Sequence, residues 1–275
     1  SATEILFGIG AGDDVVGVTH ECDFPAAALE LPRLTSSALP DASNSAEIDR
    51  HVRASLHSGS SLYHLDSELL ERLAPDLIIT QELCKVCAVS YEIVDRAAKR
   101  LTSDPRVVSL EPSSLDDVLA NIEFVGELTG HVAGARALVE ALSVRIEALR
   151  AAAPPHRPRT LVLEWTDPPM GAGHWTPGLV ELAGGTPILS NPGANSQRLE
   201  WAAIAQADPD TVIVAPCGFD IPRANAAIEE LAGTPEWTSL RAQRERRVHV
   251  VDGNAYVNRP GPRLVDTAEI FARLL

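Results

Sequence analysis

The chain has 275 residues, 45% of them hydrophobic, so it is long and apolar enough to bury the core of one large domain or of two lobes. It has 23 Lys and Arg against 38 Asp and Glu, a formal net charge of −15, and because no basic cluster offsets this charge, nucleic acid is excluded as an expected partner. No apolar run approaches the roughly 20 residues of a membrane-spanning helix, so we expect no segment that crosses a bilayer.

The first predicted elements are a helix, a short strand and a polar loop. Apolar residues in "TEILFGIG" (3–10) recur at helical spacing, and "VVGV" (15–18) is typical of a short strand. The segment "THECDFP" (19–25) follows that strand as a loop. This order of elements indicates the beginning of an α/β lobe.

A βαβ unit is predicted next. A helix in "ELLERL" (68–73) leads through Pro-Asp into the strand "LIIT" (77–80) and then into the loop "QELCKVC" (81–87). A helix from Tyr91 to Leu101 and a strand "RVVSL" (106–110) follow. Because "LIIT" is apolar at nearly every position, we expect a parallel strand that is covered on both faces.

A long helix is predicted from about 114 to 150, a segment without proline in which apolar residues recur at helical spacing. At 1.5 Å per residue such a helix is a rod of roughly 55 Å, long enough to bridge two lobes. Gly126, Gly130 and Gly134 weaken it, and a break near Gly130 is one open alternative. A helical hairpin packed on one lobe is another. "AAAPPHRPR" (151–159) then ends the helix.

The second half repeats the order of elements in the first. The helix "PGLVELAGG" (177–185), the strand "TPIL" (186–189) and the loop "SNPGANS" (190–196) correspond to the opening segments. "WAAIAQADPDTVIVAPCGF" (201–219) repeats the helix, Pro-Asp, strand and cysteine-bearing loop. The remaining predicted elements are helices over Asn225–Leu231 and Trp237–Arg244 and the strand "RVHVVDG" at 247–253.

These elements predict an α/β fold of two Rossmann-like βα lobes bridged by one long α-helix. The predicted domains are an N-terminal α/β lobe over 1–111, the bridging helix over 112–152 and a C-terminal α/β lobe over 153–275. In open α/β sheets ligands bind beyond the carboxyl ends of the strands, and in two-lobed proteins they bind between the lobes. The loops at those positions are therefore the candidates for ligand contact.

Aromatic residues make up only 4% of the chain, yet Trp165, Trp175, Phe219 and Tyr256 all fall in these loops. This placement favours a flat, largely apolar ligand that is held by ring faces. The alternative is that these rings fill the bases of the loops. Trp201 and Trp237 fall on predicted helices, and we expect them to pack in the core.

The four cysteines leave several roles open. They are too few for a scaffold built on disulfides, and a single Cys-x-x-Cys pair, Cys84 and Cys87, is a weak metal signal because a structural zinc site needs four ligands. Cys22 and Cys217 follow other strands, so the four thiols are candidate ligands for a metal such as zinc. Free buried thiols, or a Cys84–Cys87 disulfide or redox pair, are the alternatives.

Two histidines lie in the same class of loop. His174 in "GAGHWTPG" is a candidate to coordinate a cobalt or iron centre through its imidazole, or else to hydrogen-bond to backbone. His20 in "THECD" has the same two interpretations, and Glu21 beside it suits a hydrogen-bonding role toward amide groups. No Ser-His-Asp spacing, His-Glu-x-x-His, phosphate loop or Gly-x-Gly-x-x-Gly signature is present, so the common catalytic motifs give no support for an enzyme.

Several segments carry a family resemblance over nearly the whole chain. "SATEILFGIGAGDDVVGVTHECDFP", "LIITQELCKVCAV", "PCGFD" and "DGNAYVNRPGPRLVD" resemble the cobalamin-binding branch of the substrate-binding proteins of ABC importers. The resemblance implies two α/β lobes bridged by a long helix, with a corrinoid, a related tetrapyrrole or an iron chelate in the cleft. It also implies a strand before Ser1 and a location in the periplasm or as an extracytoplasmic lipoprotein, with a cytoplasmic carrier as the alternative.

The resemblance extends in part to the surface that docks on a permease. Family members that deliver to a permease carry a surface glutamate on each lobe, just before the Pro-Asp strand. Glu68 is placed suitably in the first lobe, whereas the second lobe has Ala202 near the expected position and Glu200 two residues away. Glu68 and Glu200 are the candidate docking residues for an ABC permease.

The predicted function is therefore ligand capture without catalysis, by a monomer that requires no cofactor. The expected ligand is cobalamin or a related corrinoid, and the alternative is a metal- or thiol-dependent enzyme that uses the four cysteines. Arg259 is expected at the ligand rim, where it would meet amide or phosphate groups. The predicted ligand-binding residues are His20, Glu21, Gln81, Trp165, His174, Trp175, Phe219, Tyr256 and Arg259.

Overall fold

The computed structural model describes residues 1–38, 44–58, 62–81 and 91–275, and the chain falls into two compact units. Unit 1 comprises Ser1–Ser43, Arg50–Glu111 and Ala120–Val139. Unit 2 comprises Asn44–Asp49, Pro112–Leu119 and Glu140–Leu275.

Helices and strands alternate along most of the described chain. The helices are α1 (Ala2–Gly8), α2 (Ser45–Ser58), α3 (Ser67–Leu73), α4 (Tyr91–Ala98), α5 (Leu115–Thr129), α6 (Val132–Ala152), α7 (Thr176–Leu182), α8 (Trp201–Ala207), α9 (Ile221–Glu230), α10 (Pro235–Thr238), α11 (Arg241–Arg244) and α12 (Leu264–Leu274). The strands are β1 (Thr35–Ser37), β2 (Tyr63–Leu65), β3 (Leu77–Thr80), β4 (Arg106–Ser109), β5 (Arg159–Thr166), β6 (Pro169–Gly171), β7 (Gly173–His174), β8 (Thr186–Pro187), β9 (Asn191–Pro192), β10 (Gln197–Arg198), β11 (Thr211–Val214) and β12 (Val248–Val250).

In unit 1 the predicted βαβ unit is confirmed, since β3 and β4 pair in parallel with α4 between them in the chain. β1 and β2 form a separate antiparallel pair. The predicted strand 15–18 is wrong: Val18 alone makes an isolated bridge, to Arg33. The backbone N–H of Val15 closes a turn onto Gly12, and Val16 is 45% exposed, so no neighbouring strand covers this apolar run within the described residues.

Unit 2 is built on one six-stranded sheet. Its order is β10-β6-β5-β11-β12, with β8 pairing with β5, and β5, β8, β11 and β12 run parallel. The expectation that Trp165 lies in a loop is wrong, because β5 continues to Thr166 and turns into the antiparallel strand β6. Pro169 is compatible with a strand because it is the first residue of β6, a position that proline tolerates.

The helix, Pro-Asp and strand pattern has the same backbone geometry in both halves. α3 ends at Ala74 with φ 44°, and α8 ends at Asp208 with φ 40°. Each of these left-handed residues donates its N–H back into the last helical turn. A proline follows at once, which prevents the helix from continuing, and the chain then enters β3 or β11.

The predicted central helix is present as two helices, α5 and α6, rather than as one continuous rod. The break lies at Gly130, where the sequence allows it, and Gly130 has a φ of +76° that favours glycine. Gly126 contacts the second helix closely, since a Cβ built on it would lie 2.4 Å from the Cβ of Ala135. Each of these two helices has some residues in unit 1 and the rest in unit 2.

Two predicted helices near the C-terminus have different bounds in the structure. α9 begins at Ile221 rather than Asn225, because Asp220 caps it by accepting a hydrogen bond from the backbone N–H of Arg223 at 2.9 Å. The predicted helix 237–244 is two short helices, α10 and α11. Trp201 and Trp237 pack together edge to face in the core of unit 2 with ring centroids 5.7 Å apart, as predicted.

Candidate functional site

The carboxyl ends of β5, β11 and β12 form one edge of the sheet in unit 2, and most of the predicted ligand residues lie there. Trp165 is the second-to-last residue of β5, Cys217 and Phe219 follow β11, and Tyr256 lies in the π-helix Gly253–Val257 after β12. Backbone hydrogen bonds join these segments, from the Cys217 N–H to the Glu164 carbonyl and from the Asn254 N–H to the Phe219 carbonyl, both at 3.1 Å. We call this region the unit 2 edge.

Trp165 is partly buried and is supported from within the unit. Its ring lies 5.2 Å from that of Phe219 at an interplanar angle of 60°, and its indole N–H donates to the Asp167 carbonyl. The guanidinium of Arg223 lies 4.2 Å from the centroid of the Phe219 ring. Phe219 itself is 1% exposed and belongs to the core, so its role here is to support Trp165. This corresponds to the alternative that Phe219 fills the base of its loop.

Trp175 is also a core residue, with 7% of its surface exposed. Its indole N–H donates to the Val257 carbonyl at 2.8 Å, which ties the start of α7 to the π-helix that carries Tyr256. Tyr256 is partly buried, and the guanidinium of Arg263 lies 5.5 Å from its ring centroid. Trp165 and Tyr256 are therefore the two aromatic candidates at this edge with ring area left to offer a ligand.

His174 is held in a rare backbone conformation, with a φ of 48°. Its N–H donates to the Ala194 carbonyl at 2.7 Å, and its Nε2 lies 3.1 Å from Asn195 Oδ1. Because burial lowers the pKa of His174, against the opposing effect of the Asn195 hydrogen bond, the ring is neutral near pH 7. An amide oxygen only accepts, so Nε2 carries the proton and the Nδ1 lone pair is left for a ligand.

Arg259 lies at the same edge and has an internal partner. Its guanidinium donates to Asn254 Oδ1 at 3.0 Å, and Asn258 donates to the Ala215 and Gly253 carbonyls. The chain passes close to itself here, since a Cβ built on Gly253 would lie 2.2 Å from the Pro216 carbonyl oxygen. These contacts fix the loop that presents Tyr256 and Arg259.

Glu164 is a partly buried acid at this edge that sequence reasoning missed. Its carboxyl accepts hydrogen bonds from the hydroxyls of Thr176, at 3.0 Å, and Ser196, and from the Gly173 N–H. Burial raises the pKa of Glu164 above 4.5, and these three hydrogen bonds oppose the rise. The carboxyl thereby joins β5 to α7 and to the segment before β10. Its two hydroxyl partners lie 12 and 32 residues away in the chain, a spacing that no sequence motif marks.

We expect Glu164→Gln to change how stability depends on pH. A carboxyl whose folded pKa is raised favours folding at low pH, and this contribution is lost as the pH rises from 4.5 through the folded value. Glutamine stays neutral, so the free energy of unfolding of the variant relative to the wild type should increase with pH, by about 1.4 kcal/mol for each unit of pKa difference. Urea titrations from pH 4 to 8 measure this. A difference that is constant with pH would contradict the assignment.

In unit 1 the predicted residues gather around the first turn of α1. The hydroxyl of Ser1 donates to Gln81 Oε1 at 2.6 Å, and the hydroxyl of Thr3 lies 3.1 Å from Cys22 Sγ. The side chain of Gln81 and the loop that carries Cys22 are thus held by the same helix end.

The loop of His20 has partners that hold its shape. His20 Nδ1 lies 2.7 Å from Thr35 Oγ1, its Nε2 lies 3.3 Å from Glu21 Oε1, and its ring centroid lies 5.5 Å from that of Tyr63. Arg33, which the sequence analysis did not single out, donates to the Cys22 carbonyl and, at 2.8 Å, to that of Thr19. Glu21 is exposed.

The structure gives no support to a metal site. In the described ranges there is no group of three or more His, Cys, Asp and Glu side chains able to hold a metal ion. Cys22 and Cys217 carry free thiols, and Cys22 Sγ also lies 3.2 Å from the Thr19 hydroxyl. The predicted ligands Cys84 and Cys87 lie outside the described residues.

Both predicted docking residues are exposed. Glu68 lies in the first turn of α3, and Glu200 is the residue that precedes α8. Ala202 is exposed as well, in the first turn of α8. In the described part of the chain no helix is both long enough and apolar enough to cross a membrane.

Comparison with known proteins identifies the family. The family model described as "Periplasmic binding protein" matches residues 1–255. The chain is 22% identical to the vitamin B12-binding protein of Vibrio cholerae serotype O1, over 98% of this chain and 83% of that protein.

Solved structures share the fold. The crystal structure of the periplasmic vitamin B12 binding protein BtuF of Vibrio cholerae matches with a TM-score of 0.70 at 21% identity, covering 99% of this chain and 92% of that one. The periplasmic heme-binding protein RhuT from Roseiflexus sp. RS-1 matches with a TM-score of 0.71 at 23% identity, covering 99% and 95%. The predicted α/β class is confirmed, and the chain belongs to the periplasmic binding protein family.

Proposed function

We propose that this substrate-binding protein holds a corrinoid or a related tetrapyrrole at the unit 2 edge. The observation that carries the proposal is the pair of partly exposed rings, Trp165 and Tyr256, at the carboxyl ends of β5 and β12. Each ring is supported from within the unit, Trp165 by Phe219 and Tyr256 by Arg263. Rings fixed in this way offer flat apolar faces whose ordering costs little on binding, which suits a flat macrocycle.

The names of the relatives support the class of ligand. One is a vitamin B12-binding protein and another is a periplasmic heme-binding protein, and both ligands are tetrapyrrole macrocycles with a central metal. Arg259 follows Tyr256 in the same segment and suits the amide and phosphate groups of a cobalamin. His20, Glu21 and Gln81, which lie in unit 1, remain predicted ligand-binding residues.

Parallel titrations test the proposal. Purified protein is titrated with cyanocobalamin, haemin and zinc chloride, each followed by absorbance and by calorimetry. We expect saturation by cyanocobalamin at one equivalent and no stoichiometric binding of zinc. Absence of any heat or spectral change with both tetrapyrroles would overturn the proposal.

Haem is the second candidate ligand, and His174 is the observation that favours it. The neutral ring has an Nδ1 lone pair that can bind iron, and the strained backbone of His174 marks a position held in place by its surroundings. If haem is the ligand, His174→Ala should remove the absorbance shift seen when haemin binds. The same variant should leave the affinity for cyanocobalamin unchanged, because that cobalt already carries its axial ligands. Equal spectra for variant and wild type with haemin would exclude His174 as a ligand to iron.

We propose further that Glu68 and Glu200 contact an ABC permease, which places the protein outside the cytoplasm. Both carboxylates are exposed and lie at the starts of helices that precede the Pro-Asp strands. Glu68 lies within α3, whereas Glu200 is the residue before α8, and Ala202 occupies the first turn of that helix. Glu68→Lys is therefore the more informative variant in an uptake assay.

A further inference from the structure

A groove of about 400 Å³ lies in unit 1 and belongs to none of the predicted site residues. One wall is a single face of α4 and the turn after it: Arg96 and Ala97 lie three and four residues after Ile93, and Arg100 lies four and three residues after them, which places the four side by side. The other walls are β2 and α3. We call this feature the α4 groove. Its volume lies in the range of about 300–1,000 Å³ that is usual for small-molecule sites.

Part of the lining of the α4 groove is apolar, and we call this part its floor. It consists of Leu65 and Tyr63 of β2, Ile93 of α4 and the buried Leu101. A surface with this lining favours an apolar body that is removed from water on binding.

The rim of the α4 groove is basic, although the chain as a whole has a net charge of −15. Arg96 and Arg100 are both exposed, and neither forms an ion pair with a residue in the described ranges. Arg96 Nε donates only to the Glu92 carbonyl of its own helix, which leaves the rest of the guanidinium for a ligand. His64 of β2 adds a third nitrogen-bearing side chain. A guanidinium group matches the geometry of a carboxylate or sulfonate, and Arg96 and Arg100 are four residues apart in the chain.

One acid faces this basic rim. Glu71 of α3 also lines the groove, and its carboxylate accepts a hydrogen bond from the Thr102 hydroxyl at 3.1 Å. A carboxylate on the opposite wall repels a second negative charge on the ligand. The groove therefore favours monoanions over dianions.

We propose that the α4 groove binds an amphipathic monoanion: an apolar chain or ring system with one carboxylate or sulfonate, seated with its anionic group on Arg96 and Arg100. The apolar part occupies the floor between β2 and α4. This site is separate from the proposed tetrapyrrole function and does not depend on it.

Fluorescence competition tests the proposal on the full chain. The anionic dye 8-anilinonaphthalene-1-sulfonate is bound first to the protein without a tetrapyrrole, and the arginine variants below identify the part of its fluorescence that comes from the α4 groove. Octanoate should displace the dye, and octanamide, which has the same chain without the charge, should not. Arg96→Gln with Arg100→Gln should weaken octanoate binding about tenfold, since hydrogen bonds to charged groups are lost. Arg72→Gln, an exposed arginine on α3 outside the lining, is the matched control and should have no effect.

The outcomes separate this site from the tetrapyrrole site. The double variant should bind cyanocobalamin as the wild type does, with an unchanged far-ultraviolet circular dichroism spectrum. Equal competition by octanamide and octanoate would overturn the proposal, and so would wild-type octanoate affinity in the double variant. If the double variant does not fold, Arg96→Gln and Arg100→Gln are measured singly, and the proposal fails if neither weakens octanoate binding relative to Arg72→Gln.

Discussion

Gly134→Ala is expected to lower the free energy of unfolding by about 3 kcal/mol, the upper end of what overpacking normally costs. Gly134 lies in the first turn of α6, where that helix passes over the end of α1 within unit 1. A Cβ built on it would lie 1.9 Å from the backbone carbonyl oxygen of Ile9 and 2.8 Å from the carbonyl carbon. A carbonyl cannot rotate away as a side chain can, so α6 and the end of α1 would have to separate.

The matched control is Gly178→Ala in α7. Gly178 is an exposed helical glycine with no heavy atom within 4 Å of its built Cβ. Alanine there should raise the free energy of unfolding by about 0.5–1 kcal/mol, because glycine loses more backbone entropy in a helix. Urea titrations followed by circular dichroism measure both variants. Equal stability of the two variants would show that α6 does not depend on this close approach.

The sequence predicts the parallel strands well because their signal is local. "LIIT" and "TVIV" are apolar at successive positions, and each follows a helix that proline stops, so both the type and the order of these elements can be predicted. α2 was not predicted, because its apolar positions are few: Ile48 and Val52 are spaced correctly but lie among charged and polar residues. The predicted strand at Val15–Val18 failed for the opposite reason: among the described residues this apolar run has only the single bridge from Val18 to Arg33, so no ladder forms.

The candidate site shows what a sequence can and cannot locate. The order of elements predicted that Trp175, Phe219 and Tyr256 lie in segments that follow strands, and the structure has them there. Trp165 was expected in a loop and lies instead within β5. The sequence did not distinguish the rings that support a neighbouring side chain from the rings that are exposed. That difference depends on distant partners such as the Val257 carbonyl, which fixes Trp175 across 82 residues.

We expect Trp165→Leu combined with Tyr256→Leu to weaken corrinoid binding far more than either change alone. Leucine keeps apolar cover over Phe219 but removes the flat ring face. Well-packed aromatic contacts at the centre of an interface contribute about 2 kcal/mol each, so each single variant should lose about thirtyfold in affinity. Calorimetric titration with cyanocobalamin measures the dissociation constants.

Phe124→Leu is the control for the loss of an aromatic ring, since Phe124 is 37% exposed on α5 and lies outside the unit 2 edge. The Phe124→Leu variant should bind cyanocobalamin as the wild type does.

Phe219→Leu tests the supporting ring. If Phe219 acts by holding Trp165 in place, its loss should weaken binding when Trp165 is present and have little further effect in Trp165→Leu. Additive losses in that cycle would mean that the two rings act independently. Unchanged affinity in the double variant Trp165→Leu, Tyr256→Leu would exclude the unit 2 edge as the ligand site. In the described residues of unit 2, no other pair of partly exposed aromatic residues lies at a strand end.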